Sequence, residues 1–420
     1  MIRAGSLFFV ILLSTIIGVI SVFLLLIYYY QSNQLIEYNH SKTVSINAKS
    51  GINLVFAWKD NHPLKLDTTI DLFGKGKDSV RIRIHNWGLY SIGIVKAIDK
   101  KWQDQKIFLY GSALPSSMDA ALYLSDLDRP LTISGATEIR GNAIVPASSI
   151  RSGYLEGKSY GHDTLVYGKQ LKSSRHLPPV QETWLNPYFT ILFRKDSSII
   201  KKHPYPYQFT ADLISRSFLD STLWIVSKKS ISLENMHLTG NICIYSSKEI
   251  TVDSTTNLDQ VILIAPSIFI KGHFNGSLQA FAADSLKTGN NCNFYYPSAL
   301  ILLKDSINKE QPTLQLGKES QLKGLILSYC KKQDINLTSI YIGKSSSIEG
   351  VIYCNGYLQF SGKLSGELLT DHFLYKSSST IYENYLIDAS LNRAKLNSHY
   401  LCSGLFSNSF SQNNLIEWLK

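Results

Sequence analysis

The sequence is poor in charge and in cysteine, and it lacks the short motifs of several common enzyme classes. Only 18% of its 420 residues are charged, and residues 6–30 carry no charge at all. The five cysteines are scattered without a C-x-x-C pair, so neither a zinc site nor a disulfide framework is indicated. It contains no Gly-x-Ser-x-Gly elbow, phosphate-binding loop or His-Glu-x-x-His. We therefore expect a non-enzymatic protein with no catalytic, cofactor-binding or metal site.

The basic residues do not form a cluster in the sequence. The formal net charge is +10, but the lysines are dispersed along the chain, and the ten histidines stand singly without metal-ligand spacing. A dispersed basic average usually serves solubility. We expect no nucleic-acid partner, while glycans and lipid headgroups stay open as partners.

A sequence repeat occupies the middle of the chain. Its copies start at Ile231, Ile250 and Ile268, 19 and 18 residues apart, and each runs through an apolar-polar-apolar opening, a polar or Gly-containing corner and a second apolar run. This period suits one turn of a β-solenoid built from short strands, which buries its apolar residues by stacking turn on turn. An antiparallel sandwich is the alternative, but a sandwich does not require a fixed repeat.

The same frame recurs elsewhere. The predicted turns open at residues 131, 231, 250, 268, 314, 340 and 358, with others around 295–303 and 373–387. Cys243 and Cys354 fall in apolar segments, which indicates small core residues. Glycine recurs at the corners, where it would permit positive φ, at positions 240, 272, 317, 324, 343, 350, 356, 362 and 366.

One charged column follows from the repeat. Glu234, Asp253 and Lys271 hold the fourth position of three consecutive turns, so they should stack outward about 5 Å apart. One Asp and one Glu supply too few oxygens for calcium, so the column is interpreted as a solvated charge ladder.

The N-terminus predicts a membrane span. Residues 6–30 are uncharged and would form a helix about 37 Å long, against a hydrocarbon core of about 30 Å. A cleavable secretory signal is disfavoured, because the apolar run is long and no A-x-A site follows it. Arg3 on the short side and the tyrosines at 28–30 on the other place the N-terminus inside.

The helix is expected to continue as an amphipathic stalk to about residue 57. Apolar residues recur at helical spacing at Ile36, Val44, Ala48, Ile52 and Val55. A flexible linker is the alternative, since the segment is rich in β-branched residues.

This long helix behind a short leader ending in Gly5 resembles the N-terminal spine of type IV pilins and type II secretion pseudopilins. The strands around Trp87-Gly88 are similar to a hairpin of some minor pilins. The chain as a whole resembles uncharacterised membrane-anchored proteins of Bacteroidetes, especially at residues 259–285. The resemblance implies cleavage between Gly5 and Ser6, with pilus or secretion-system subunits as partners. Val10 stands where most pilins carry Glu, which favours a minor subunit or a plain membrane anchor.

The predicted fold is mainly β, a parallel β-solenoid (β-helix) joined to the N-terminal helix by a small strand-rich region. The predicted divisions are residues 1–57 for the membrane and stalk helix, 58–130 for the strand-rich region, 131–390 for the solenoid with an excursion at 149–229, and 391–420 for a C-terminal cap. Trp184, Tyr188, Phe189 and Phe193 in the excursion need burial, so we expect it to pack on the solenoid flank.

Asp-Ser/Thr triplets resemble the O-glycosylation sequon of Bacteroidetes exported proteins, although such triplets also arise in Ser-rich turns. The candidate acceptors are Thr68, Ser79, Thr164, Ser221, Ser254, Ser285 and Ser306.

Together these features favour an inner-membrane, single-pass protein whose C-terminal bulk lies in the periplasm or at the cell surface, with a structural or assembly role such as that of a minor pilin-like subunit. A membrane-tethered β-helical carbohydrate-active enzyme and a surface adhesin are the alternatives.

Overall fold

The computed structural model describes residues 4–58, 65–72, 74, 78–193, 212–305, 310–331, 337–377, 380–407 and 411–419. The fold is mainly β, with one long apolar helix at the N-terminus. The described residues divide into two compact units. The first unit holds residues up to Trp58 with Lys65–Ile84 and Gly93–Lys106, and the second holds His85–Ile92 and residues from Ile107 onward.

Helix α1 (Ala4–Ala57) ends where the predicted stalk ends. The sequence that follows it alternates apolar and polar residues, a pattern that favours strands. The strands after the helix are β1 (Lys65–Ile70), β2 (Asp78–Trp87), β3 (Tyr90–Asp99) and β4 (Trp102–Ser112). The three strands predicted at 79–84, 89–97 and 106–111 are thus present, and β1 was missed. Strands β2 and β3 are neighbours across a two-residue turn in which Gly88 has φ +63°.

In the first unit the C-terminal half of α1 is its packed half. Val44, Ala48, Ile52 and Val55, which share the predicted helical spacing, are buried. Ile36 lies in the predicted helix as well, but its side chain is 48% exposed. Helical spacing marked the correct face, but it did not show where along the helix the contact with the strands begins.

The second unit is built from strands of 2 to 14 residues and helix α2 (Asn186–Phe193). Its strands before α2 are β5 (Leu122–Leu124), β6 (Leu131–Ser134), β7 (Glu138–Arg140), β8 (Ala143–Val145), β9 (Ile150–Ser152), β10 (Tyr154–Leu155), β11 (Lys158–Ser159) and β12 (Gln170–Lys172). Those after α2 are β13 (Leu213–Arg216), β14 (Leu223–Ser227), β15 (Ile231–Leu233), β16 (His237–Gly240), β17 (Ile242–Ser246), β18 (Glu249–Val252), β19 (Asn257–Ile270), β20 (Asn275–Thr288), β21 (Asn293–Lys304), β22 (Thr313–Leu316), β23 (Gln321–Cys330), β24 (Thr338–Ile342), β25 (Ser347–Phe360), β26 (Lys363–Lys376), β27 (Ile381–Glu383), β28 (Tyr385–Ile387), β29 (Ser390–Asn392) and β30 (Asn413–Trp418). Short 3-10 helices occupy Ser116–Met118, Glu182–Trp184, Arg393–Lys395 and Gly404–Phe406.

Most of these strands form one closed parallel sheet. The predicted neighbours are confirmed, because Ile231 pairs in parallel with Ile250, and Ile250 with Ile268. The same ladder continues through Leu286, Leu314, Ile340 and Leu358. Two further ladders run beside it, one through Leu322, Ile348 and Leu364 and the other through Ile326, Ile352 and Leu368.

The inward residues of the three ladders explain why the repeat is apolar. Leucines, isoleucines and valines from all three belong to one fully buried cluster. Cys354 lies in that cluster and Cys243 is buried at 3% exposure, as expected for small core residues. Backbone groups pair from strand to strand while the apolar side chains meet inside. Stacking therefore provides the backbone hydrogen bonds and buries the apolar side chains at the same time.

The position of the strand at Leu131 differs from the prediction. We expected it to precede Ile231 in the stack, but Ile133 pairs with Leu386 and Ile139 pairs with Leu391. This early part of the chain therefore pairs with the C-terminal strands of the stack and not with the strand at Ile231. A parallel ladder accepts any flat strand of suitable length, so the repeat pattern could not say at which end it docks.

The excursion predicted at 149–229 is correct only in part. Gln170 pairs with Ala143 and Ile225 with Ile244, so both flanks of the segment belong to the parallel sheet. Residues 194–211 lie outside the described part of the chain. Helix α2 does pack on the sheet as expected, with Tyr188 stacked on Phe281 at 3.6 Å between ring centroids.

The C-terminal cap over the open end stays a prediction. Within the predicted cap, strand β30 pairs antiparallel with β4, joining Asn413 to Ser112. Farther upstream, the Tyr400 hydroxyl donates to the carbonyl oxygen of Gly324 at 2.8 Å. The segment thus contacts the side of the stack, where a buried backbone carbonyl accepts one of its hydroxyls.

The glycine prediction also needs correction. Gly240, Gly324, Gly350, Gly356 and Gly366 do have positive φ. The other predicted glycines, at 272, 317, 343 and 362, are not among the residues with positive φ. A Cβ on Gly317 would lie 2.0 Å from the carbonyl oxygen of Gly289, so this glycine serves close backbone approach.

Candidate functional site

A polar pocket opens on the side of the second unit. It has a volume of about 160 Å³ and is lined by Tyr296, Lys323, Glu349, Asn397, His399 and Tyr400. The first three come from β21, β23 and β25, and the last three from the segment that runs along the stack. Lys323 and Glu349 meet there because they are paired positions of neighbouring parallel strands, whereas residues 397–400 reach the pocket through tertiary contacts.

Two tyrosines form the inner wall of the pocket. Their ring centroids lie 5.6 Å apart, and each hydroxyl donates to a backbone carbonyl, Tyr296 to Leu401 at 2.7 Å and Tyr400 to Gly324 at 2.8 Å. Burial raises the pKa of both phenols. The rings are thus fixed in place and neutral at physiological pH.

The wall depends on a column of glycines. Gly324 pairs with Gly350, and Gly350 with Gly366, all at positive φ. A Cβ on Gly350 would meet the Tyr400 hydroxyl at 2.8 Å and the Gly324 carbonyl oxygen at 1.9 Å. The absence of side chains in this column is what lets Tyr400 lie against the backbone.

The rim of the pocket is polar and electrically balanced. The Lys323 ammonium and the Glu349 carboxylate are 3.6 Å apart, on residues that pair across β23 and β25. The Asn397 side-chain oxygen Oδ1 accepts from the His399 backbone N–H at 2.9 Å, which fixes the turn that carries both side chains. The rim can therefore donate and accept hydrogen bonds without a strong net charge.

A buried carboxylate follows the glycine column. Glu367, with its side chain 1% exposed, accepts from the Arg393 guanidinium at 2.9 Å, and the same Arg393 nitrogen is 3.3 Å from Asp119. The second Glu367 oxygen has no hydrogen-bond partner among the described residues. Burial raises the pKa of Glu367 to about 8, against the lowering effect of Arg393.

The predicted charge column is present in part. The Lys271 ammonium lies 2.6 Å from the Asp253 carboxylate, and this contact lowers the pKa of Asp253. Glu234 instead accepts from the Ser232 hydroxyl at 2.8 Å. In the part of the chain that the structure describes, no group of three or more metal-ligating side chains is found.

The two residues of the predicted cleavage site, Gly5 and Ser6, lie exposed in the first turns of α1. Arg3, which entered the orientation argument, lies outside the described residues. The helix from Gly5 is long and apolar enough to cross a membrane, by length and composition. Its hydroxyls bond back to helix carbonyls, Ser14 to Ile11, Thr15 to Leu12 and Ser21 to Ile17, all within 2.9 Å.

The predicted glycosylation acceptors are scattered and do not form one site. Thr164, Ser221 and Ser254 are exposed, Thr68, Ser79 and Ser285 are half-buried, and Ser306 lies outside the described residues. Around Ser254 the Asp253 carboxylate accepts from the Thr255 N–H at 3.1 Å, which is a side-chain-closed turn. The triplet therefore has a structural role at that position.

Sequence reasoning missed the polar pocket and the buried Glu367. The sequence offered one signal for both, since the repeat aligns Gly324 with Gly350, beside Lys323 and Glu349. The contribution of residues 397–400 has no counterpart in the repeat, so only tertiary contacts reveal it. Comparisons with protein-family models, curated proteins and solved structures find no significant match to this chain.

Proposed function

We propose that this chain is a membrane-anchored structural or assembly protein of the cell envelope, with a non-enzymatic role. The N-terminal half of α1 would lie in the inner membrane and the bulk of the chain in the periplasm or at the cell surface. The observation that carries the proposal is the division of α1 into two halves. Its apolar side chains are exposed through the tyrosines at 28–30, whereas Val44, Ala48 and Val55 are buried within the first unit.

The hydroxyl groups in the exposed half of α1 are also compatible with a hydrocarbon environment. Unpaired hydroxyls are costly in a bilayer core, and those of Ser14, Thr15 and Ser21 are all bonded to the helix backbone. A lipid environment would cover the apolar residues that the described part of the chain leaves exposed.

We infer further that the closed parallel sheet is a β-solenoid. This interpretation is supported by three ladders in parallel register and by paired positions offset by 18 or 19 residues at Ile231, Ile250 and Ile268. The larger step from Leu286 to Leu314 would be a turn with an insertion. A solenoid is rigid and presents a long side surface, which suits a scaffold or an assembly component.

The pilin-like proposal is that the protein is a minor pilin or pseudopilin-like subunit of a pilus or secretion apparatus. It is supported by a long helix whose second half packs on strands of its own unit, behind a leader ending in Gly5. The position of Gly5 and Ser6 in exposed helix is consistent with access by a membrane peptidase.

The test is the mature N-terminus of the protein purified from its native membrane. Mass spectrometry should find Ser6 as the first residue, and the Gly5→Val variant should keep Met1. Alkaline carbonate extraction should leave the protein in the membrane pellet in both cases, because the apolar segment is unchanged. An intact Met1 in the unaltered protein would overturn the pilin-like part, and release by carbonate would overturn the membrane anchor.

A further inference from the structure

We propose that the polar pocket lined by Tyr296, Lys323, Glu349, Asn397, His399 and Tyr400 binds a single neutral sugar ring, such as the terminal residue of a glycan. All six residues belong to the second unit, so the inference does not rest on membrane anchoring or on pilin-like processing. It assigns a ligand class to a site that the sequence did not predict.

The size of the pocket limits the ligand. Its volume is about 160 Å³. Sites for drug-sized ligands are larger, about 300–1,000 Å³. The pocket therefore suits one small ring, and a longer glycan would have to extend out of it into solvent.

The inner wall favours a ring with an apolar face. Tyr296 and Tyr400 are held by hydrogen bonds of 2.7 and 2.8 Å to backbone carbonyls, so the ordering of these rings is already complete before a ligand arrives. A pyranose ring presents C–H groups on its faces and hydroxyls around its edge. The aromatic wall matches the first feature and the polar rim matches the second.

The rim argues against a charged ligand. Lys323 and Glu349 are 3.6 Å apart and offset each other, so neither an anion nor a cation gains a net attraction. The fixed turn at Asn397 and His399 adds an amide and an imidazole. Ligand hydroxyls, which both donate and accept, can use an ammonium, a carboxylate, an amide and an imidazole together.

The test uses the full chain in lipid nanodiscs and saturation-transfer-difference NMR. The probes are the methyl glycosides of glucose, galactose and mannose, and N-acetylglucosamine, each titrated to about 20 mM, because a single ring of this kind binds with a Kd on the order of 1 mM. At least one sugar should give saturable transfer, strongest at its ring C–H protons. Inorganic sulfate is added in a separate titration.

Rim variants with matched controls locate the site. His399→Ala and Lys323→Ala should weaken binding at least fivefold, while His237→Ala and Lys287→Ala, which change exposed residues elsewhere on the stack, should leave it unchanged. Circular dichroism confirms that each variant is folded. The proposal is overturned if no sugar in the panel gives transfer, if both rim variants bind as tightly as the unaltered protein, or if sulfate displaces the sugar from the site.

Discussion

At the scale of single residues, the Glu367 carboxylate is a buried group that is costly to ionise. It is buried with one oxygen bonded to Arg393 and the other without a partner among the described residues. A buried charge is tolerated when a counter-ion and hydrogen bonds offset its desolvation. Here one guanidinium is shared with Asp119, so the compensation is incomplete, and the raised pKa expresses that deficit.

This deficit predicts a pH dependence of stability. The pKa of Glu367 is about 8 in the folded protein, against an ordinary value of 4.5 that applies in the unfolded chain. Below pH 4.5 the residue is protonated in both states, so the folded protein has its full stability there. As the pH rises towards 8 the unfolded state loses the proton first, which lowers the free energy of unfolding by about 1.4 kcal/mol per pH unit. Glu367→Gln cannot ionise, so its advantage over the unaltered protein should grow across that interval.

Chemical denaturation of both proteins at pH 5, 6.5 and 8 checks this expectation. Glu349→Gln serves as the control, because this carboxylate is half-exposed on a neighbouring strand. Parallel stability curves for Glu367→Gln and the unaltered protein would show that Glu367 ionises normally.

At the scale of elements, α1 shows how one helix serves two environments. Gly18 stands in the exposed apolar half, and a Cβ there would meet nothing within 4 Å. Gly51 stands in the packed half of the first unit, where a Cβ would meet methyl groups of Val80 and Val95 at 2.7 Å. The same residue type is therefore required by packing at one position and merely tolerated at the other.

The two glycines predict opposite responses to the same substitution. Gly51→Leu should destabilise the first unit by at least about 2 kcal/mol, since overpacking outweighs the better helix propensity of leucine. Gly18→Leu should leave that unit unchanged. Hydrogen exchange of the amides at 44–57 measures the effect, and equal exchange in the two variants would mean that the helix does not pack tightly on the strands.

At the scale of the whole molecule, the parallel sheet of the second unit joins segments far apart in the chain. Leu122 pairs with Leu368, and Ile139 with Leu391. Contacts of this separation require long loops to close before they stabilise the fold, so folding of this unit should be slow. They also tie the stability of the early strands to that of the last ones.

The pairing of the early strand β5 with β26 can be tested by mutation. Leu122→Ala creates a cavity in the core and should cost about 2–5 kcal/mol. Hydrogen exchange should then accelerate in residues 368–370, which pair with β5, more than in residues 231–246. Leu233→Ala should show the reverse pattern. Acceleration at 231–246 in the Leu122→Ala protein would restore the order expected from the sequence, with the early strand beside Ile231.

The sequence by itself determined the local features of this protein: the apolar helix to Ala57, the strand-forming repeat and the pairing of Ile231, Ile250 and Ile268. Those features depend on hydrophobic periodicity, which is written in adjacent residues. Only the tertiary structure decided which end of the stack receives the strand at Leu131, where β30 pairs, and that Tyr400 meets the glycine column to form a pocket. Such choices depend on contacts between distant segments whose alternatives have similar local patterns, so burial and hydrogen bonding in the complete fold select among them.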